Sequence, residues 1–321
     1  IEVTFLENGH LIGAAMILIE INYPEEEPIN ILFTGDYNCK NDFICLPEIP
    51  MRIRNMRLST VIESTYGDTS VKDINYGHFS KKVLEAIEQR KTIILPVFSL
   101  GRSQEILLRL KELQDTNKLD VNIPIYFDGK LAQAYTALYC NSKILIDESK
   151  KDFFPRNLIF ANSEIREQLL QTNDCKIIVT TSGMGTYGPA QVYIPYFIST
   201  KKALILFTGY TAEGTLGADL KNATEGEFVK IGGLICKKFA DVSYCNEFSA
   251  HAKSEELIEL LKKFNNLRAI LVNHGQTKTK DIFAEKILTE IDIDEVGILN
   301  REYFFRIGSY GIVKTLSTKF K

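Results

Sequence analysis

The sequence predicts an α/β protein made of two domains, with the second domain inserted into the first. The chain has 321 residues, a length typical of about two domains. Residues 1–65 contain short β-branched or apolar runs separated by turn residues, which is typical of β-structure. From about residue 78, apolar strands alternate with amphipathic helices. This alternation predicts a mostly parallel sheet that is covered on both faces.

The β-rich opening is predicted to hold four strands, recognised by their β-branched or apolar residues. They cover residues 3–6, 15–21, 30–34 and 60–63. The polar stretch 23–28 predicts a hairpin connection between the second and third strands. Residues 45–57 contain Pro47 and Pro50 and are predicted to be a loop.

The central segment repeats the alternation of helix and strand several times. The predicted helices cover residues 79–89, 102–113, 131–139 and 163–170. The predicted strands cover residues 92–97, 123–127, 176–181 and 203–207. In the second helix Ile106, Leu110 and Leu113 share one face, as expected of a helix that packs on a sheet. We therefore predict a doubly wound domain here.

The last part of the chain is predicted to return to the first domain. It holds a strand, a loop and a helix ending at Phe264, then a strand at 269–272, a helix at 279–288 and strands at 303–307 and 311–315. No low-complexity linker separates these parts, so the crossings between domains are short. The predicted divisions are 1–77 for the first segment of the outer domain, 78–240 for the inserted domain and 241–321 for the second segment.

Composition excludes some classes of function. The net charge of −3 gives no general attraction to nucleic acid, so binding of RNA would need local basic clusters. No apolar run reaches the roughly 18 residues of a membrane span, and no signal-peptide pattern is present. The six cysteines include no metal-binding or redox pair spacing. They indicate reduced thiols and a cytoplasmic protein.

Five side chains at the ends of predicted strands or beside small residues are candidates for a catalytic site. His10 lies in a glycine-rich turn, and Asp36 follows the strand 30–34. Glu63 ends an apolar strand, His251 precedes a helix, and His274 follows the strand 269–272. Imidazole and carboxylate groups bind divalent cations, and a carboxylate can also orient a catalytic histidine.

Each of these five positions has an ordinary structural explanation when it is taken alone. A histidine after a glycine and an aspartate in a Thr-Gly-Asp turn are common turn chemistry. An acid at a strand end can be a buried hydrogen-bond partner. Five such residues at comparable positions are nevertheless better explained by one shared site than by five coincidences. The fourth histidine, His78, has no comparable setting and is predicted to lie on the surface.

Three glycine-containing turns in the inserted domain are candidates for phosphate binding. They follow the strands that end near residues 97, 181 and 207. Loops at the carboxyl ends of parallel strands commonly form the ligand crevice, and helix N-termini there favour anions. The candidates are Arg102, Ser182 and Gly183, together with Ser249 beside His251. The alternative is that these glycines only allow a helix to pack closely on a strand.

The ordered motifs resemble a known superfamily. GHLIGAAM at residues 9–16 and FTGD at residues 33–36 resemble motifs 3 and 4 of the metallo-β-lactamase superfamily. Further motifs resemble its β-CASP branch, which includes RNase J and the pre-mRNA 3′-end cleavage endonuclease. They are ESTYG at 63–67, PVFSLGRSQE at 96–105, SGM at 182–184, FSAH at 248–251 and VNHG at 272–275. The resemblance covers nearly the whole chain.

The resemblance implies a metallo-β-lactamase-like αββα sandwich with an inserted doubly wound β-CASP domain. It implies that His10, Asp36 and His274 are zinc ligands, with Asp36 bridging two Zn²⁺ ions. Asp36, Glu63 and His251 would be catalytic, with His251 held by Glu63 and protonating the leaving oxygen. The implied reaction is zinc-dependent hydrolysis of RNA phosphodiester bonds, since a histidine at position 274 is associated with branch members that act on RNA.

Two departures from the family pattern limit what is expected of this chain. The main metal motif, His-x-His-x-Asp-His, is absent from the sequence. Because each catalytic zinc takes about three protein ligands, three candidates are too few for two ions. We therefore expect this segment to lack its N-terminal part, much of one sheet and most of the metal site, and to show little or no activity. Gln276 also stands where the family often has glutamate.

Two other functions stay open at this point. A non-catalytic RNA-binding or scaffold member of the same branch would keep the fold and lose the metals. A hydrolase of a small ester from the wider superfamily is a second alternative, although the inserted domain and His251 argue against it. The expected partners are RNA and either a second copy of the chain or the subunits of a processing complex, with no membrane.

Overall fold

The computed structural model describes residues 1–142, 150–300 and 303–317. The strands are β1 (Glu2–Glu7), β2 (Ala15–Ile21), β3 (Ile29–Phe33), β4 (Leu58–Glu63), β5 (Thr92–Pro96), β6 (Ile125–Asp128), β7 (Leu158–Ala161), β8 (Lys176–Thr180), β9 (Ala203–Phe207), β10 (Phe228–Ile231), β11 (Leu234–Lys237), β12 (Asp241–Tyr244), β13 (Leu267–Asn273), β14 (Val296–Ile298), β15 (Tyr303–Gly308) and β16 (Gly311–Ser317).

Helices connect many of these strands. They are α1 (Met51–Arg54), α2 (His78–Glu88), α3 (Arg102–Asp115), α4 (Lys130–Asn141), α5 (Ser163–Leu169), α6 (Ala190–Phe197), α7 (Leu216–Asn222), α8 (Ser254–Leu261) and α9 (Thr277–Glu290). The chain divides into two compact units. Unit 1 is Ile1–Asp73 with Ala250–Lys321, and unit 2 is Ile74–Ser249.

Unit 1 is built on a mixed six-stranded sheet with the order β1-β2-β3-β4-β13-β14. The first three strands pair antiparallel, whereas β3, β4, β13 and β14 run parallel to one another. Alternate residues of β2, such as Met16 and Leu18, are buried in one apolar cluster with Leu257 of α8 and Phe283 of α9. The core of unit 1 therefore lies between this sheet face and the two helices.

Unit 2 is built on an all-parallel six-stranded sheet with the order β12-β9-β5-β8-β6-β7. Every residue of β5, β8 and β9 is buried, so these central strands are covered on both faces. Tyr193 and Phe197 of α6 pack with residues of these strands in one apolar cluster. The α/β prediction with a doubly wound inserted segment is confirmed.

The division between the units differs by a few residues from the predicted one. The predicted boundaries were 77/78 and 240/241, and the structure divides the chain at 73/74 and 249/250. Residues 241–244 form β12, which pairs with β9 in the sheet of unit 2. Glu247 accepts hydrogen bonds from the backbone N–H groups of Gly77 and Phe79 at the start of α2. These contacts place residues 241–248 with unit 2.

Some elements differ from the sequence prediction. The stretch 45–57 was predicted to be a loop, but it contains the one-turn helix α1, which begins after Pro50 and buries Ile53. Proline is well tolerated at a helix start, which explains the difference. The prediction also did not include β7, α6, α7, β14 or the hairpin β10–β11, whose Gly232-Gly233 turn is a hairpin signal.

Candidate metal centre

Three neighbouring parallel strands of unit 1 bring the predicted site residues to one edge of the sheet. Strand β4 ends at Glu63, whose ladder partner is Asn273 at the end of β13. Strand β3 lies on the other side of β4 and ends shortly before Asp36. Parallel strands have their carboxyl ends at the same edge, so Asp36, Glu63 and His274 lie close together.

Asp36 lies between two histidines. Its Oδ1 atom is 2.7 Å from Nδ1 of His274, and its Oδ2 atom is 3.7 Å from Nε2 of His10. Zinc–nitrogen and zinc–oxygen bonds of about 2.0–2.2 Å separate two ligands of one ion by roughly 3–3.5 Å. The separation of 3.7 Å is close to that range, whereas 2.7 Å is the length of a direct hydrogen bond between His274 and Asp36. The carboxylate and two imidazoles are groups that bind divalent cations, and Asp36 lies within reach of both histidines.

His10 is held so that one ring nitrogen faces Asp36. Its Nδ1 atom is 2.6 Å from the carbonyl oxygen of Ala250. A carbonyl can only accept, so Nδ1 carries the proton and Nε2 keeps its lone pair for a metal. Burial lowers the pKa of His10, against the opposing effect of the Ala250 hydrogen bond. The neutral imidazole, which is the ligating form, is thereby favoured.

Glycine is required immediately before His10. Gly9 has a φ of 73° and pairs in an isolated antiparallel bridge with Tyr37. A side chain at this position would collide with the carbonyl oxygen of Asn38. The close approach of these two segments places His10 beside the loop that carries Asp36.

Glu63 and His251 form a second pair next to Asp36. Oε2 of Glu63 is 2.8 Å from Nδ1 of His251, and Oε1 accepts the backbone N–H of Tyr37. Glu63 is 3% exposed, so these two partners, and not water, fix the orientation of its carboxylate. His251 consequently presents Nε2 on the opposite side of its ring. This arrangement is that of a carboxylate-oriented acid or base.

The three imidazoles surround one small volume. The ring centroid of His251 is 4.7 Å from that of His10 and 5.7 Å from that of His274. Ligand atoms of Asp36, Glu63, His251 and His274 all lie within 4.8 Å of one another. His10 is not one of these four, but Nε2 of His10 lies 3.7 Å from Asp36, so the five residues singled out from the sequence lie together in unit 1.

Several groups at this site could not be found from residue types. The orienting contacts come from the backbone N–H of Tyr37 and the backbone carbonyl of Ala250. A third contact is made by Thr65, whose Oγ1 lies 3.2 Å from Nδ1 of His274. Backbone groups leave no signal in the amino-acid sequence, and the motif ESTYG that contains Thr65 does not indicate a contact with His274.

The predicted phosphate-binding residues all belong to unit 2. Ser182 and Gly183 follow β8, and the Ser182 hydroxyl accepts the backbone N–H of Tyr187 at 3.1 Å. Ser249 is half-buried and is the last residue of this unit. Their role in phosphate binding stays a prediction.

Arg102 begins α3 and is 8% exposed. Its Nε donates to Glu105 at 2.8 Å, Nη1 donates to the carbonyl of Thr208, and its guanidinium lies 5.3 Å from the ring centroid of Phe248. These contacts tie α3 to the segments after β9 and β12. A part in phosphate binding stays a prediction here too, and it would have to coexist with these internal contacts.

All six cysteines are free thiols, as predicted from their spacing. Among the helices of the described ranges, none combines the length and the apolar character needed to cross a bilayer.

Comparison with known proteins agrees with this fold. Residues 103–220 match the Beta-Casp domain, and residues 239–296 match the Zn-dependent metallo-hydrolase RNA specificity domain. These two matches cover much of unit 2 and the segment that carries His251 and His274.

Curated proteins show similarity along most of the chain. An RNase J-like protein of Methanocaldococcus jannaschii is 33% identical over 313 residues, which is 91% of this chain and 68% of that protein. The transcription termination factor FttA of Methanosarcina mazei is 27% identical, covering 94% of this chain and 49% of its own length. The cleavage and polyadenylation specificity factor subunit 3-I of Arabidopsis thaliana is 28% identical. The match covers 88% of this chain and 40% of that protein.

The inserted parallel sheet and the match to a Zn-dependent metallo-hydrolase domain are those of the metallo-β-lactamase superfamily. Within that class, the chain belongs to the β-CASP branch, the group of its RNase J-like relative. The chain spans between two fifths and about two thirds of the length of these relatives.

Proposed function

We propose that the protein containing this chain is a metal-dependent ribonuclease that hydrolyses phosphodiester bonds. The observation that carries the proposal is the pairing of Glu63 with His251 directly beside Asp36, His10 and His274. A carboxylate-oriented histidine next to a cation-binding donor set is the arrangement that phosphoryl hydrolysis needs.

His10, Asp36 and His274 are the residues that would hold a zinc ion. The chemistry supplied by zinc at such a site is activation of water and neutralisation of phosphate charge. Three protein ligands suffice for one catalytic ion of this kind. A second ion, with Asp36 as the bridging ligand, would require further donors and belongs to the expectation drawn from the family.

His251 would act as the general acid. Its Nδ1–H faces the Glu63 carboxylate, so Nε2 is the atom that gives its proton to the leaving oxygen. The Glu63 carboxylate holds the imidazole in the orientation in which Nε2 can transfer the proton. The hydrogen bond from Tyr37 keeps the carboxylate in this position.

RNA is the proposed substrate for two reasons. The segment that holds His251 and His274 matches a domain described as an RNA specificity domain. The names of the relatives also refer to an RNase and to polyadenylation and termination factors. We further propose a cytoplasmic protein that works either as a homo-oligomer or with other subunits, as the relatives named as subunits of complexes do.

The test is cleavage of a 5′-labelled single-stranded RNA by the natural gene product that contains this chain. Cleavage should require zinc, stop with a chelator and be slower on DNA of the same sequence. His251→Ala should lower the rate by about 10²–10⁴-fold, the usual contribution of general acid catalysis. His78→Ala is the matched control, because His78 starts α2 in unit 2 and should leave the rate unchanged.

Cleavage that resists the chelator, or that is equally fast in the His251→Ala protein, would refute the proposal. RNA binding without any cleavage would instead identify a non-catalytic member of the branch. Turnover of a small ester in place of RNA would identify a hydrolase of the wider superfamily.

A further inference from the structure

The backbone of His274 is unusual for the residue that it carries. Its φ is 46°, in the left-handed region that non-glycine residues rarely adopt. Such a conformation persists only where the surrounding structure imposes it, and it is commonly found at functional sites. The conformation sets the direction in which the imidazole leaves the chain.

The His274 ring is only partly packed, since its side chain is 53% exposed and the neighbouring ring is that of His251, with the centroids 5.7 Å apart. Its polar contacts are both made by Nδ1, with Asp36 at 2.7 Å and Thr65 at 3.2 Å. An exposed ring of this kind can rotate away unless its backbone is fixed. The groups that fix the backbone therefore decide whether the ring meets Asp36.

Ser64 contacts the chain on both sides of the His274 α-carbon. Its backbone N–H donates to the His274 carbonyl at 2.9 Å. Its hydroxyl donates to the Asn273 carbonyl at 2.9 Å and also lies 3.2 Å from the His274 carbonyl. Ser64 is fully buried, so water does not compete for these two carbonyls.

The residue after His274 completes this contact. A side chain at Gly275 would place its first carbon 2.8 Å from both the carbonyl oxygen and the hydroxyl of Ser64. Backbone atoms cannot move aside cheaply, so the close packing of these two segments requires glycine. The backbone on both sides of the His274 side chain is therefore fixed by its close packing against Ser64.

We propose that Ser64 is a positioning residue for the metal centre, acting through the backbone of His274. Ser64 holds the carbonyl groups of Asn273 and His274. It thereby keeps the backbone of His274 in the left-handed region, and this conformation directs the imidazole at Asp36. The contribution to metal binding rests on the proposed function, whereas the contribution to backbone conformation does not. Ser64 touches neither metal nor substrate, and its effect should pass entirely through His274.

The first test is zinc binding to the purified chain, measured by competition with a chromophoric chelator. Ser64→Ala should weaken binding by about 10-fold or more, the usual effect of removing a group that orients a ligand. The matched control is Ser103→Ala, which removes another buried serine hydroxyl that donates to a backbone carbonyl at 2.9 Å, in α3 of unit 2. The control should bind zinc as the unchanged chain does.

A double-mutant cycle separates positioning from general loss of stability. In the His274→Ala background, the further change Ser64→Ala should not weaken zinc binding any more. An additional loss there, or unchanged affinity in Ser64→Ala alone, would overturn the proposal. Thermal unfolding of Ser64→Ala and Ser103→Ala should show comparable shifts.

A crystal structure of Ser64→Ala tests the positioning without any metal. His274 should leave the left-handed region and its ring should separate from Asp36; a φ that stays near 46° would overturn the proposal. If the natural gene product that contains this chain binds no zinc, the metal site of the proposed function fails, and the backbone conformation in this crystal still decides the role of Ser64. Gly275→Ala provides a second variant, expected to displace His274 in the same way.

Discussion

His251 and Glu63 are joined by a 2.8 Å contact between Nδ1 and Oε2, although 188 residues separate them along the chain. The other carboxylate oxygen is occupied by the N–H of Tyr37, so the glutamate is directed at the histidine from a buried position. This contact explains why Glu63 at the end of β4 and His251 in the loop before α8 belong to one site.

Glu63→Gln should lower RNA cleavage by about 100-fold, because the amide can still accept the Tyr37 hydrogen bond but carries no charge to stabilise the imidazolium of His251. Zinc content should remain that of the unchanged protein. Cleavage rate and zinc content measured on the same sample check this. Loss of zinc together with activity would show instead that Glu63 is itself a ligand.

Asp36→Asn should abolish tight zinc binding, because Asp36 lies between His10 and His274 and loses the charge that attracts the ion. The loss of affinity should exceed the 10–100-fold that removal of a ligand's orienting partner costs. Equilibrium dialysis measures it. Asp219→Asn, which changes an exposed carboxylate in α7, is the control and should have no effect.

Glu255 should stabilise unit 1 at neutral pH, and this stabilisation should be lost in acid. Burial alone would raise its pKa, but hydrogen bonds from Ser70 and from the N–H groups of Glu255 and Val71, with the charge of Lys286, lower it to about 2. The unfolded chain then binds the proton at higher pH than the folded one. The stabilisation is complete above pH of about 4.5 and is lost as the pH falls towards about 2.

Urea unfolding of Glu255→Gln and of the unchanged chain between pH 2 and 7 tests this dependence. The two proteins should differ in stability above pH of about 4.5 and converge at the acid end. The difference should stay below about 1 kcal/mol, because the side chain is 44% exposed and solvent screens it. Glu259→Gln in the same helix, 68% exposed, should show no such difference, and equal behaviour of both variants would contradict the assignment.

Asp128→Asn should destabilise unit 2 by about 3 kcal/mol, because it removes a buried carboxylate and leaves the half-buried guanidinium of Arg166 without its counter-charge. Asp128 is 1% exposed, and it accepts two hydrogen bonds from Arg166, at 2.7 and 2.8 Å, and one from Tyr193 at 2.8 Å. Denaturant unfolding measures the change. Asp115→Asn, which weakens ion pairs of the more exposed Asp115 with Lys111 and Arg156, should destabilise unit 2 much less, and similar losses in both would contradict the prediction.

The sequence was most informative where periodicity and strand ends coincide. Strands β2 and β9 were predicted at their observed bounds, because apolar runs there end at turn residues on both sides. The five site residues follow from the same logic, since each is a polar residue beside such a run or turn. Helix α6 was missed because Pro195 lies inside it, and packing of Tyr193 and Phe197 overrides that local signal.

The orienting contacts at the site could not be predicted in the same way. The Tyr37 N–H, the Ala250 carbonyl and the left-handed backbone of His274 depend on how distant segments meet. They are properties of three-dimensional packing and not of residue type. Chemical identity therefore marks the candidate ligands, whereas their geometry requires the fold.

The pairing of β4 with β13 means that Asp36 and His274 meet although about three quarters of the chain separates them. During synthesis at about 5–20 residues per second, the first residue waits roughly 10–50 seconds for the second. Contacts of such high sequence separation also form late and slowly in folding. On the ribosome, the candidate site consequently cannot assemble before the segment that carries His274 has been synthesised.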